Sequence, residues 1–324
     1  MNGELSADST AVLRRAVYGL LIVSACATLV ARVTQVESTS GKTPFLSAND
    51  RSRWSTIRAL VEHGTFSLDD IIYKDGGEAA RIAPTDPSIN PLRQRISDWY
   101  SIDMARHRGR DGQEHAYSTK PPLMSVLLAG EYWLVRAITG AQLGDRPLYV
   151  GRLMLVISNI LPLAAAWWLL SKQIDRLGRT DWGRAIVLTA ATWGTLLTPM
   201  AVTLNNHLWA AICVIFALAA VVEAWNDEEP RLRPYVMAGL AAALLAAQEL
   251  PALSLFCLIA ASLAWRSPRS TLIGFAPAAI VVAVAALGTN YWAHGTLKPA
   301  YAHRSDGPVL AVLTANHRDD IAAG

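Results

Sequence analysis

Long apolar runs, interrupted by one wide polar stretch, dominate the pattern of this chain. Runs near the ~20 residues needed to cross a bilayer cover residues 16–31, 123–138, 148–171, 185–204, 208–225 and 272–292, and a longer one covers 235–265. The longest run is broken by Gln248-Glu249-Leu250-Pro251, and polar residues with a proline inside an apolar segment predict a tight hairpin of two short helices. Together these runs predict an all-α fold, a polytopic transmembrane helical bundle of about eight apolar segments, because only internally bonded helices suit such sequences in lipid. Residues 1–324 then form a single membrane domain, with 37–120 as its large first loop. The run 123–138 is short and contains Glu131, so it is expected to enter the membrane without crossing it fully.

Inside the first loop, Trp54, Ile57, Leu60 and Val61 recur at helical spacing, which predicts a helix over 52–63 lying on the membrane. Asn49 or Asp50 is expected at its N-cap, a position that favours a short polar side chain. Residues 75–78 and 84–91 read as turns, and 99–115 is polar without a clear period.

Composition strengthens the membrane reading. With 52% hydrophobic residues, 17% charged and a mean hydropathy of +0.26, the chain is too apolar for a soluble protein of this length. The net charge of +3 comes from scattered Lys and Arg at segment ends, which orients the chain and leaves no footprint for nucleic acid. Arg14 and Arg15 before the first run set a cytoplasmic start. If 123–138 does not cross, the basic residues of 172–184 with Arg266 and Arg269 also become cytoplasmic, and Asn206, His207 and Glu249 share the extracytoplasmic side with the first loop. Trp167, Trp168, Trp182, Trp225, Trp265 and Trp292 lie near segment ends, as an interfacial belt requires. Ala and Gly fill much of 238–247 and 276–288 and allow close helix contact. Cys26, Cys213 and Cys257 all fall in apolar runs, which disfavours disulfides and thiolate metal sites. His107 and His115 lack metal-ligand spacing and read as surface histidines, so no metal site is expected.

The polar loop supplies the candidate chemistry. Asp50 just past the first run offers an acid or base, while Arg53 and Lys120 offer cations able to hold phosphate at the same interface. Each also has an ordinary reading, as a cap, a snorkelling side chain and an interface marker respectively. Glu131 and Glu249 in or beside apolar segments require partners, and Arg152 is a candidate partner for either. Residues 290–301 combine aromatics, turn formers and one Lys, as an interfacial anchor or a stacking surface would.

Asp50-Arg51-Ser52-Arg53-Trp54 after the first run, followed by Tyr117-Ser118-Thr119-Lys120-Pro121-Pro122-Leu123 opening the next, resembles membrane glycosyltransferases of the GT-C superfamily. The branch it is most similar to contains protein mannosyltransferases and the lipid A aminoarabinose transferase. The resemblance implies a multi-pass enzyme of the plasma (inner) membrane, working on the extracytoplasmic face. Its donor would be a sugar on a polyprenyl phosphate, transferred to the hydroxyl of an acceptor that the sequence does not identify. Asp50 would be the general base, Arg53 and Lys120 would bind the leaving phosphate, and Asn206, His207 and Glu249 would line the substrate site. Arg51 stands where the family usually has a second acid, and Thr119 where some members have a glutamate, so no cofactor is expected and a divalent metal finds no support. Members of the superfamily are generally longer, which implies a fragment or a reduced version. The alternative class is a non-catalytic scaffold or a transporter-like relative of the same fold.

Overall fold

The computed structural model describes residues 2–73 and 98–305; the turns expected at 75–78 and 84–91 lie outside the described residues. The chain is mostly helical and divides into two compact units, one made of residues 1–36 and 155–283, the other of 37–154 and 284–324. Among the described residues, four helices are long and apolar enough to cross a membrane: Ser9–Val33, Pro147–Leu177, Asn206–Asn226 and Pro268–His294. At 1.5 Å rise per residue the shortest reaches about 31 Å, the thickness of a bilayer's hydrocarbon core. Outward-facing residues such as Leu20, Leu161, Leu272 and Val281 are mostly exposed, and apolar surface on this scale is the mark of a membrane protein.

Among the described residues four spans stand against about eight expected apolar segments, one of which, 123–138, was not expected to cross fully, and the difference has identifiable reasons. The run 185–204 is not one helix. It forms Asp181–Trp193, a turn beginning at Gly194, and the short helix Leu197–Met200. The hairpin across 235–265 forms as expected, as Leu232–Gln248, a 3-10 turn Leu250–Ala252 and Leu253–Arg266, but each arm is too short to count as a full span. Pro122–Thr139 carries both Glu131 and Arg136 in its 18 residues and falls outside the four.

In the first unit, helix α1 (Asn2–Val33) packs Tyr18 with Ile174 and Leu188. Arg14 bonds Asp175 at 2.8 Å and Asp181 at 2.9 Å, an ion network close to the start of the first span. Helices Asn206–Asn226 and Leu232–Gln248 bring buried alanines together, among them Ala217, Ala220, Ala238 and Ala242. Small residues let backbones approach where lipid supplies no hydrophobic drive between helices. The approach reaches its limit at Gly239, where an added Cβ would overlap the backbone carbonyl oxygen of Phe275 and stand 3.0 Å from Ala278 Cβ. Asn159 is fully buried in a π-helical turn, Val156–Ile160. Its amide donates to the carbonyls of Ala201 (3.0 Å) and Thr203 (2.9 Å) and accepts from Trp209 Nε1 (3.2 Å). Trp167 is also fully buried, so it is a core residue and not a member of the interfacial belt; Trp168, Trp182, Trp225, Trp265 and Trp292 are exposed.

In the second unit, helix α2 (Ala48–Arg58) starts at Ser47, whose side chain accepts the Asp50 N–H at 3.1 Å. Ser47 is therefore the N-cap, where Asn49 or Asp50 was expected. The helix continues as a π-helical turn, Ala59–His63, and stops at Gly64 with φ of 69°, a left-handed conformation that glycine adopts without strain. Trp54 and Ile57, expected to face lipid, are buried within this unit. Trp54 stacks on Phe45 with ring centroids 5.8 Å apart, and Trp99 meets the same ring edge-on. Protein thus covers the apolar face that the spacing assigned to the membrane.

The first loop also contains structure that its lack of period concealed. Strands β1 (Met104–Arg108) and β2 (Glu114–Ser118) pair antiparallel with Met104 opposite Ser118. Their connection turns at Asp111-Gly112, where Gly112 has φ of 78° and Asp111 Oδ1 accepts the Gln113 N–H at 3.0 Å. Short helix α3 (Asp69–Ile72) packs under this hairpin, with Asp69 Oδ1 accepting the Ala116 N–H at 3.0 Å.

Candidate active site

Asp50 occupies the third position of α2 and is 1% exposed. Its Oδ2 accepts the Leu46 N–H at 3.0 Å, so the carboxylate returns the favour that Ser47 does for Asp50, much as in a capping box. Arg53, one turn further and 2% exposed, donates from Nη1 to the side-chain carbonyl of Asn49. A carboxylate and a guanidinium are therefore buried on one helical turn, an arrangement that is costly unless interactions compensate it and that recurs at functional sites.

Between them in sequence, Ser52 links this turn to the second motif. Ser52 Oγ lies 2.6 Å from Ser118 Oγ, across 66 residues of chain, and donates to the Asp103 carbonyl at 2.8 Å. Lys120 N–H donates to Ser118 Oγ at 3.1 Å. The protons have one consistent order: Lys120 N–H to Ser118, Ser118 O–H to Ser52, Ser52 O–H to Asp103. Thr119 extends the hairpin ladder by donating its N–H to the same carbonyl at 3.0 Å. Lys120 Nζ is 3.1 Å from Asp103 Oδ2, and Asp103 is its one charged partner among the described residues. The geometry thus brings Asp50, Arg53 and Lys120 within two residues of a single hydrogen-bonded joint. Further along the same helix, Glu62 accepts from Arg58 Nε (2.8 Å), Tyr132 Oη (2.6 Å) and Gly144 N (3.0 Å). Burial alone would raise the pKa of Glu62, but those donors outweigh it and hold the carboxyl below its usual range.

Asn206, His207 and Glu249 lie in the first unit and meet one another there. Asn206 Nδ2 donates to Glu249 Oε1 at 2.6 Å and to the Gln248 carbonyl at 3.3 Å, while His207 Nδ1 contacts the same Glu249 oxygen. Asn205 caps the helix by accepting the Leu208 N–H at 2.9 Å. Glu249 is therefore partnered by this amide and imidazole rather than by Arg152, which instead lies 4.0 Å from Glu37. Glu131 has a buried Oε1 with no hydrogen-bond partner among the described residues.

Comparison with protein-family models, curated proteins and solved structures found no match. Geometry and chemistry alone must carry the functional reading.

Two histidine clusters were not legible in the sequence. His115 Nδ1 meets Asp69 Oδ2 and Nε2 meets Asp111 Oδ2, each at 2.7 Å. Burial works against its charge, yet hydrogen bonds to Asp111 and Asp69 prevail and raise its pKa; the Asp111 carboxyl is correspondingly held low by His115. His107, expected at the surface, is buried on β1 beside His294 and His303. His107 Nε2 is 3.0 Å from His294 Nδ1, and the His107 and His303 rings stack at 4.2 Å. One nitrogen from each of the three lies within 4.8 Å of the others, a set able to hold a metal ion. Tyr117 stacks on His107 at 4.3 Å, and burial pushes its hydroxyl pKa up to about 12.

Proposed function

We propose that this protein is a membrane glycosyltransferase that moves a sugar from a polyprenyl phosphate to an acceptor hydroxyl on the extracytoplasmic face. The observation that carries the reading is the joint between Ser52 and Ser118, which ties together the two short, distant motifs to which the three charged residues belong. Asp50 acts as general base, taking the proton of the acceptor hydroxyl as that oxygen attacks the anomeric carbon. The bond from that carbon to phosphate oxygen breaks, and the departing anion is met by Arg53 and Lys120, fixed cations in surroundings poor in water. An ammonium carries three N–H donors, so phosphate can join Asp103 around Lys120 without displacing it. Asn206, His207 and Glu249 lie in the other unit, where amide, imidazole and carboxylate meet in one hydrogen-bonded set able to bind hydroxyl groups. Cytoplasmic ends rich in Arg and four apolar spans fit a plasma-membrane enzyme of several passes.

Lys120→Met tests the phosphate assignment. Loss of a charge-assisted hydrogen bond, worth about 1.5–3 kcal/mol, predicts kcat/KM for the polyprenyl-phosphate donor lower by roughly 10- to 150-fold at unchanged fold. Unaltered kcat/KM removes Lys120 from the site.

A further inference from the structure

We propose that His107, His294 and His303 form a binding site for one divalent transition-metal ion, with Zn2+ the best fit, independent of the transfer reaction. The three side chains come from a strand, from the end of a spanning helix and from the 3-10 turn Ala300–Ser305. All three are buried, at 5%, 7% and 5% exposure. Three imidazoles packed together offer nothing to one another if all are protonated, and only one shared proton if two are neutral. A metal ion uses the lone pair of each.

Tautomers and distances both suit an ion. His107 Nδ1 lies 3.1 Å from the Arg108 carbonyl, and since a carbonyl only accepts, Nδ1 carries the proton and Nε2 presents its lone pair. A ring N–H bonded to a backbone carbonyl is the usual orienting contact of a metal-bound histidine. That lone pair faces His294 Nδ1 at 3.0 Å, close to the ~3.3 Å between two ligands each about 2.0–2.1 Å from a tetrahedral Zn2+. His294 Nε2 is buried with no hydrogen-bond partner among the described residues, an uncompensated polar atom that the hydrogen-bonded tautomer does not satisfy.

The donor set selects the metal. Imidazole suits Zn2+, Cu2+ and Ni2+, whereas Mg2+ and Ca2+ require oxygen ligands. Access is present, because the three histidines line an open cleft of about 530 Å3 that also exposes Arg108, Arg110 and Glu114. Three ligands and an open side leave a fourth position for water or an anion. The ion would tie the β-hairpin to the helix end and to the turn at 300–305.

The test uses the full chain in detergent, purified through a tag without histidine, stripped with EDTA and titrated with Co2+ as a spectroscopic stand-in. Expected are one ion per chain, visible absorption of tetrahedral or five-coordinate Co2+, and displacement by Zn2+. His294→Gln and His303→Gln should each weaken binding at least 100-fold, while His115→Gln, in the other cluster, should not. Cu2+ electron paramagnetic resonance on the unaltered protein adds a readout that no variant's folding can confuse, with nitrogen couplings from at least two imidazoles expected. Absence of stoichiometric Co2+ binding by folded protein, couplings from fewer than two imidazoles, or unchanged binding in both folded variants would overturn the proposal.

Discussion

Ser52→Ala cuts the joint on which the functional reading rests. The hydroxyl is fully buried, donates to the Asp103 carbonyl at 2.8 Å and meets Ser118 Oγ at 2.6 Å. After its removal the Asp103 carbonyl still accepts from Thr119 N (3.0 Å) and Thr119 Oγ1 (3.1 Å), so no acceptor is stranded. Ser118 still accepts the Lys120 N–H at 3.1 Å, but its own proton loses its acceptor. One stranded buried donor costs about 1–3 kcal/mol, and the vacated oxygen adds little, so Ser52→Ala should destabilise by about 1–2 kcal/mol. Ser118→Ala strands the Lys120 N–H instead. The double variant strands no Ser118 proton, so its loss should fall short of the sum by about 1 kcal/mol. Equilibrium unfolding of the four proteins in one detergent gives the cycle, and additivity within about 0.3–0.5 kcal/mol would refute the joint. Transfer activity should fall in both single variants through misplacement of Lys120.

Other expectations follow from particular contacts. Asp50→Asn keeps an oxygen for the Leu46 N–H and should change stability little, yet lower transfer by about 10²–10⁴-fold if Asp50 is the base; Asp50→Ala strands that buried N–H and should lose activity and about 1–2 kcal/mol together, as unfolding and transfer measured side by side would reveal. Gly239→Ala sets a helix-propensity gain of about 1 kcal/mol against overpacking of about 1–3 kcal/mol. Because the added Cβ meets the Phe275 backbone, overpacking should win and lower the melting temperature, whereas Gly130→Ala, with nothing within 4 Å, should be neutral or stabilising. His115 has its pKa raised in the fold by Asp111 and Asp69 despite burial. Its contribution to stability is thus complete below its unfolded pKa of about 6.5 and lost as pH rises through the folded value. Melting temperature should decline above about pH 6.5 in the wild type, and His115→Gln should flatten that decline.

Sequence pattern located the membrane helices well because apolarity sustained over about the length of a bilayer crossing has few alternative explanations. Residues 16–31, 148–171, 208–225 and 272–292 each fall inside one of the four spans. The break at Gln248 and Glu249 also lies where expected. Helix count went astray where composition outlasted structure, as at Gly194, which ends a helix amid apolar residues. The hairpin escaped notice because Arg106 and His107, adjacent on β1, are both buried; charge and imidazole stand where an alternating strand pattern would show an apolar residue. Asp111-Gly112 was the usable signal, a turn dipeptide with the flanking strands left unread. Asp50, Arg53 and Lys120 were singled out from their motifs, but the link through Ser52 and Ser118 depends on chain folding over 66 residues. The histidine cluster joins residues 187 apart, beyond the reach of any spacing rule.

A structural and a chemical role for the buried Asp50 and Arg53 differ in what a neutral isostere does. The most direct measurement of the central claim is therefore transfer of radiolabelled sugar from a panel of polyprenyl-phosphate donors, using membranes that contain equal amounts of wild type or Asp50→Asn. The account predicts transfer from at least one donor by the wild type and its loss in the variant. Equal transfer by both, or none by well-folded wild type with any donor and acceptor fraction, would contradict it.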